Sequence, residues 1–144
     1  LLQCEQSEFW RADTWLDRTH AFIGTNMWDK ARESAHEGLQ LQPEGTVRAG
    51  LYMSLGDIAM QRHDYQSAAA SYLRTSELFV NDNEIKPLAL HRAAEAYEKN
   101  LQPAEAARLR QQLTAEFPGW SAAPDQAATG SGTGSSPSPP APRK

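Results

Sequence analysis

Three positions in this chain recur at a constant offset, and that recurrence limits its fold more than any other feature. Trp15, Tyr52 and Leu90 each open a unit, and sixteen residues later stand Ala31, Ala68 and Ala106. Seven residues after each start come Phe22, Ala59 and Tyr97, and 28 after it Pro43, Val80 and Pro118. The starts lie 37 and 38 residues apart, but the spacing inside each unit does not change. Differences in length must therefore fall in the connectors PEGTVR and VNDNEIKP. Both are polar and rich in turn formers, so they lengthen at little entropic cost. A period of this size belongs to a supersecondary unit that buries its apolar face only by stacking on copies of itself.

The central copy, LYMSLGDIAMQRHDYQSAAASY, shows which residue types the period needs. It has an aromatic at Tyr52, the pair Leu55-Gly56 and a small residue at Ala59, then a polar break from Gln61 to Asp64, then Tyr65, Ala68 and Tyr72. This resembles the tetratricopeptide repeat (TPR), whose signature runs W-x2-L-G-x2-Y, then A-x3-F, then P. The resemblance covers about Ala12 to Trp120. It implies an all-α, TPR-like solenoid of about three helix-turn-helix hairpins, at about 12–45, 49–82 and 87–120, followed by a tail over 121–144. Gly56 and Ala68 would sit where two backbones approach, with Tyr52, Leu55, Tyr65 and Tyr72 filling the space on either side. The outer copies depart from the pattern. Copy one has Arg18-Thr19 and copy three Ala93-Ala94 where Leu-Gly is expected, and Arg110 replaces the aromatic of Tyr72. End copies of such arrays are commonly atypical, because one face meets solvent.

The punctuation along the chain agrees. Residues 1–11 read as helix with Leu1, Leu2, Phe9 and Trp10 as anchors, either the remnant of an upstream repeat or a continuous run into copy one. The chain opens on Leu1 rather than Met, which reads as a fragment or a processed product. Gly24 breaks the first helix of copy one, and Asn26 is a fair N-cap for the second, with Asp29 in its first turn. Trp28, Ala31, Ala35 and Leu39 then form a stripe at steps of three and four. Asp64 suits an N-cap, Asn81-Asp82-Asn83 a turn, and Pro87 a helix start. Gln102-Pro103-Ala104-Glu105 is the clearest helix start, since proline there loses no hydrogen bond. That helix should end at Phe117-Pro118-Gly119, with Trp120 folding back as a cover. From Ser121 onward GSGTGSSPSPPAP offers alanine as its only apolar residue type besides proline, which predicts a disordered tail.

Several functional classes find no support. No run approaches 18 apolar residues, so no membrane-spanning helix is expected. Acidic residues outnumber basic ones 18 to 14, for a net charge of −4, and no basic stripe offers itself to nucleic acid. Cys4 is the only cysteine, which excludes an internal disulfide. The four histidines, His20, His36, His63 and His91, form no ligand motif, and no cofactor is expected. Phosphate-cradling glycine loops and nucleophile elbows are missing, so the chain reads as non-enzymatic.

A surface remains. In the TPR family the first helix of each hairpin lines a concave groove that binds a peptide or helix of a partner protein. Carried over by position, the groove comprises Leu16 and His20; Met53, Asp57, Met60 and Gln61; and His91, Glu95 and Lys99. The two methionines would suit an adaptable apolar contact. The members that clamp a chaperone's terminal carboxylate do so with Lys and Asn. Here the matching positions are Leu16, His20, Asp57 and Leu88, and only Arg92 fits. YEKNLQPAEAARLRQQLTAEFP is similar to hairpins of bacterial cell-envelope repeat proteins, such as the periplasmic Tol–Pal coordinator. The reading is a protein-binding scaffold of the bacterial cytoplasm or periplasm, with homo-oligomers allowed. The alternative is a helical accessory or oligomerisation segment of a larger enzyme whose catalytic domain lies upstream.

Overall fold

The structure, a computed structural model, describes residues 12–122. The expectations for residues 1–11, Cys4 included, and for the tail beyond Ala122 lie outside the described residues. Six α-helices and no strand are found among them: α1 (Ala12–Gly24), α2 (Trp28–Gln40), α3 (Gly45–Gln61), α4 (Tyr65–Leu78), α5 (Ile85–Lys99) and α6 (Pro103–Glu116). Successive helices pair as α1–α2, α3–α4 and α5–α6, hairpins one to three, and the hairpins pack on one another in chain order.

The turn inside each hairpin is built the same way three times. Asn26, His63 and Leu101, eleven residues into their units, all adopt left-handed backbone, with φ of 58°, 61° and 59°. At each, the left-handed residue donates its N–H three residues back, to Ile23, Met60 and Glu98. The next residue donates five back, from Met27 to Phe22, Asp64 to Ala59 and Gln102 to Tyr97, each at 2.9 Å. This paired pattern is the Schellman motif, which satisfies carbonyls that a helix end would otherwise leave without partners. Glycine usually holds the left-handed position, and none does here. Asn26 therefore terminates α1 instead of capping α2, whose cap residue is Met27 with no side-chain bond. Asp64 does cap α4, accepting from Ser67 N–H at 3.2 Å, and Pro103 opens α6.

The connectors between hairpins differ from one another. The first is shorter than its sequence suggests, because α3 starts at Gly45, inside PEGTVR. Arg48 Nε reaches back to the Pro43 carbonyl at 2.6 Å and ties the new helix to the chain before it. In the second, Asp82 accepts from the amides of Glu84 and Ile85 at 2.8 and 2.7 Å, so α5 begins two residues before Pro87. Those two bonds hold the Asp82 carboxyl below its ordinary pKa.

Small residues at matched positions let the helices approach. Ala31, Ala68 and Ala106 are all buried, and so are Thr19, Gly56 and Ala94, four residues into each unit. Buried Thr19 satisfies its hydroxyl by donating to the Trp15 carbonyl at 2.7 Å. Gly56 makes room for a ring rather than a backbone: a Cβ there would lie 2.7 Å from Tyr72 Cδ1. Of the four residues expected to fill the hairpin, only Tyr72 is fully enclosed, at 1% exposure. Tyr65 is half-buried at the rim of the cleft described below. Tyr52 and Leu55 are half-buried along a shallow depression shared with α4, where the Arg74 guanidinium stands 5.7 Å above the Tyr52 ring. Hairpins two and three share one core of Tyr72, Leu90, Leu109 and Leu113 set among alanines. Trp120 packs against this core after Phe117, as the fold-back reading expects.

Candidate partner-binding cleft

Identical turns carry the ends of α1, α3 and α5 to the same side of the molecule. Their final residues, Gly24, Gln61 and Lys99, all line a cleft of about 650 Å³. Its apolar wall is formed by Ile23, Trp28, Met60, Tyr65 and Leu88, and its polar residues come chiefly from α3 and α5. At the rim, His63 Nδ1 and the Tyr65 hydroxyl stand 2.8 Å apart, so the turn residue of hairpin two is fixed to the first residue of α4.

The centre of the cleft is a bonded group drawn from three helices. Asp57 on α3 accepts at Oδ1 from the Tyr72 hydroxyl of α4 at 2.6 Å and from Arg92 of α5 at 2.9 Å. Charge-assisted bonds of this kind are among the stronger ones in proteins. Burial raises the Tyr72 phenol well above its ordinary pKa, and the neighbouring Asp57 carboxylate pushes it the same way. For Arg92 burial is the largest single influence and works against the charge, but Asp57, Tyr72 and Glu95 together outweigh it and hold the guanidinium charged. The group therefore keeps a fixed carboxylate-guanidinium pair at the cleft floor and locks α4 and α5 to α3.

Beside Arg92 on α5 stands His91, whose Nε2 lies 3.4 Å from Glu95 Oε1 one turn further on. Its ring also meets Trp120, with centroids 5.5 Å apart. Two residues beyond Trp120, Ala122 lines the cleft as well. The segment after α6 thus returns across the bundle to the site.

The structure brings six of the nine predicted groove residues to the cleft: Asp57, Met60, Gln61, His91, Glu95 and Lys99. Three do not line it. Leu16 packs over Gly50 of α3, where an added Cβ would fall 2.9 Å from Leu16 Cδ2. His20 is exposed on α1 away from the cleft. Met53 packs against the shared core of hairpins two and three. Leu16 and Met53 hold the same place in their units, one residue after the start, and both pack toward the following hairpin instead of lining the cleft. Sequence reasoning missed the turn residues Asn26 and His63, the helix-start residues Trp28 and Tyr65, and Tyr72 as the partner of Asp57. The common turn register was the available signal, since it places the start of each second helix beside the end of the first.

Among the described residues no group of three or more His, Cys, Asp or Glu is gathered for a metal ion. No helix among them is long and apolar enough to cross a membrane. No protein-family model matches the chain, and comparison with curated proteins gives no match.

Proposed function

We propose that the chain is a TPR-type solenoid module, non-enzymatic, which takes a peptide or helix of a partner protein into the cleft lined by α1, α3 and α5. The observation that carries this reading is the repeated Schellman turn, which brings three equivalent helix ends to one concave site. A cleft of this make-up suits a peptide, because apolar wall and charged floor alternate over a short distance. Met60 adds an adaptable contact. Arg92 and Asp57 form a preset pair of opposite charges, against which a polar ligand can be aligned with little further ordering.

The test uses residues that face the cleft without holding the fold. Met53, Asp57 and His91 are poor choices, since they pack on the core, bond Tyr72 and Arg92, and meet the Trp120 ring, respectively. Gln61 and Lys99 are exposed and Glu95 is half-exposed. Changing all three to Ala should move stability by about half a kcal/mol or less each. Affinity for a partner recovered from the source cell should fall at least tenfold, because binding energy concentrates in few central residues. Undiminished affinity in the triple variant, with the partner still bound, would sink the proposal.

A further inference from the structure

The chain leaves the described structure inside its own cleft. Trp120 rests on His91, Ala122 is part of the cleft lining, and residues 123–144 follow directly. Any segment beyond Ala122 is therefore tethered at the site where a partner would bind. Its chemistry complements the site in two respects. Residues 137–144 read PSPPAPRK, with four prolines and the only two cations that follow Ala122. Proline-rich segments favour an extended helix that presents flat apolar surface at low entropic cost, the kind of ligand that aromatic-lined grooves accept. Trp28, Tyr65, Ile23 and Met60 provide such a surface. The cleft also collects the C-terminal ends of α1, α3 and α5, which carry partial negative charge, and the carboxylate of Glu95. Lys99 offsets this at the end of α5, and Arg92 is paired with Asp57, but neither α1 nor α3 has a basic residue in its last turn.

We propose that residues 137–144 occupy the cleft of their own chain and compete there with the partner. The inference rests on the peptide-binding reading of the cleft given above. Reach agrees with it. A flexible linker with as many residues as 123–136 would bridge about 20 Å, at roughly 5–6 Å times the square root of its length. Three adjacent helices at spacings of about 8–10 Å cover the same width. A tether of this length gives an effective concentration in the millimolar range. A tail that binds with a dissociation constant of about 0.1 mM would then fill the cleft most of the time and weaken a competitor about tenfold.

The experiment titrates a fluorescein-labelled peptide of residues 137–144 into two full-length chains. One is unaltered, and the other carries Pro139→Gly, Pro140→Gly, Arg143→Glu and Lys144→Glu. The expected result is binding about tenfold tighter to the altered chain, whose own tail no longer competes. Adding Glu95→Lys to that chain should weaken the peptide at least tenfold, with helix content unchanged by circular dichroism. Equal affinity for the two chains overturns occupancy in cis, and no saturable binding to the altered chain overturns recognition of the tail. Sedimentation covers the remaining arrangement: a concentration-dependent dimer, lost in the altered chain, means that the tail binds a second copy and overturns the proposal as stated. If the peptide fails while Gln61, Glu95 and Lys99 still govern partner affinity, only this inference falls and the reading of the cleft stands.

Discussion

Hairpins two and three are joined in a different way from hairpins one and two. Between two and three, large side chains interdigitate: Tyr72, Leu90, Leu109 and Leu113 form a single core, and the Asp57 group bonds all three helices that meet above it. Hairpin one contributes Thr19, Ala31, Ser34, Ala35 and Gly38 to the buried set, all of them small. Its large residues Trp15, Phe22 and Trp28 are only half-buried. It is fastened where Leu51 and Leu16 fit over Gly38 and Gly50. Buried apolar area is the main stabilising quantity in folding. The two junctions therefore differ in strength although their turns are alike.

The largest effect should come from Tyr72. Replacing it with Ala opens a cavity in the shared core and removes a donor from Asp57, at a cost of about 3–5 kcal/mol. Chemical denaturation should show it, and hydrogen exchange should show α4 and α5 losing protection more than α1 and α2. Tyr72→Phe separates the ring from the hydroxyl. Folding keeps the phenol protonated to higher pH than in the unfolded chain, where its pKa is about 10. Its contribution is thus complete below pH 10 and shrinks as pH rises further, by about 1.4 kcal/mol per pH unit. Tyr72→Phe should flatten that alkaline slope, and an unchanged slope would mean that Tyr72 is not the group responsible.

A pair of glycines on one helix compares the first junction with the interior of hairpin two. Gly56→Ala drives a methyl into the ring of Tyr72, which is buried and bonded to Asp57 and cannot retreat. Overpacking of this kind costs about 1–3 kcal/mol. At Gly50 the obstacle is a terminal methyl of half-buried Leu16, which can rotate aside. Gly50→Ala gains helix propensity in the same measure and should stay within about 0.5 kcal/mol of wild type. Equal losses in thermal melts would show that Leu16 is held at the first junction as firmly as Tyr72 is inside hairpin two.

The smallest effect sharpens the one feature that the hairpins share. Leu101 is 87% exposed and sits at φ 59°, a conformation that is costly for a branched apolar side chain. Leu101→Gly relieves it with little packing to lose, and the unfolded-state entropy of glycine offsets part of the gain. A rise in stability of up to about 1 kcal/mol is expected. A loss would mean that the Leu101 side chain makes a contact worth more than the strain.

Much of the fold was legible because its constraints are steric and periodic. Ala31, Ala68 and Ala106 are all buried, and each follows the start of its unit by sixteen residues whatever the connector length. Helix ends were harder. Asn26 read as an N-cap because its side chain can accept from a helix start, but the same residue tolerates left-handed backbone, and the Schellman geometry took precedence. The onset of α3 was hidden because Gly45 and the polar run after it look like a turn, while the run is helical on its exposed side. Most of the cleft residues could be placed by register. The Asp57–Tyr72–Arg92 group could not, since it depends on distances between helices that a sequence does not print.

The order in which the helices touch has a kinetic consequence. Each helix packs chiefly on its neighbours along the chain, with α1–α3 and α3–α5 as the more distant pairs among the described residues. Closing these contacts needs only short loops, so little chain entropy is lost before packing compensates. Chains with such local topology typically fold in microseconds to milliseconds. With most of the large buried side chains in α3 to α6, those four helices are the natural place for order to begin, and α1 and α2 would add to a surface already formed.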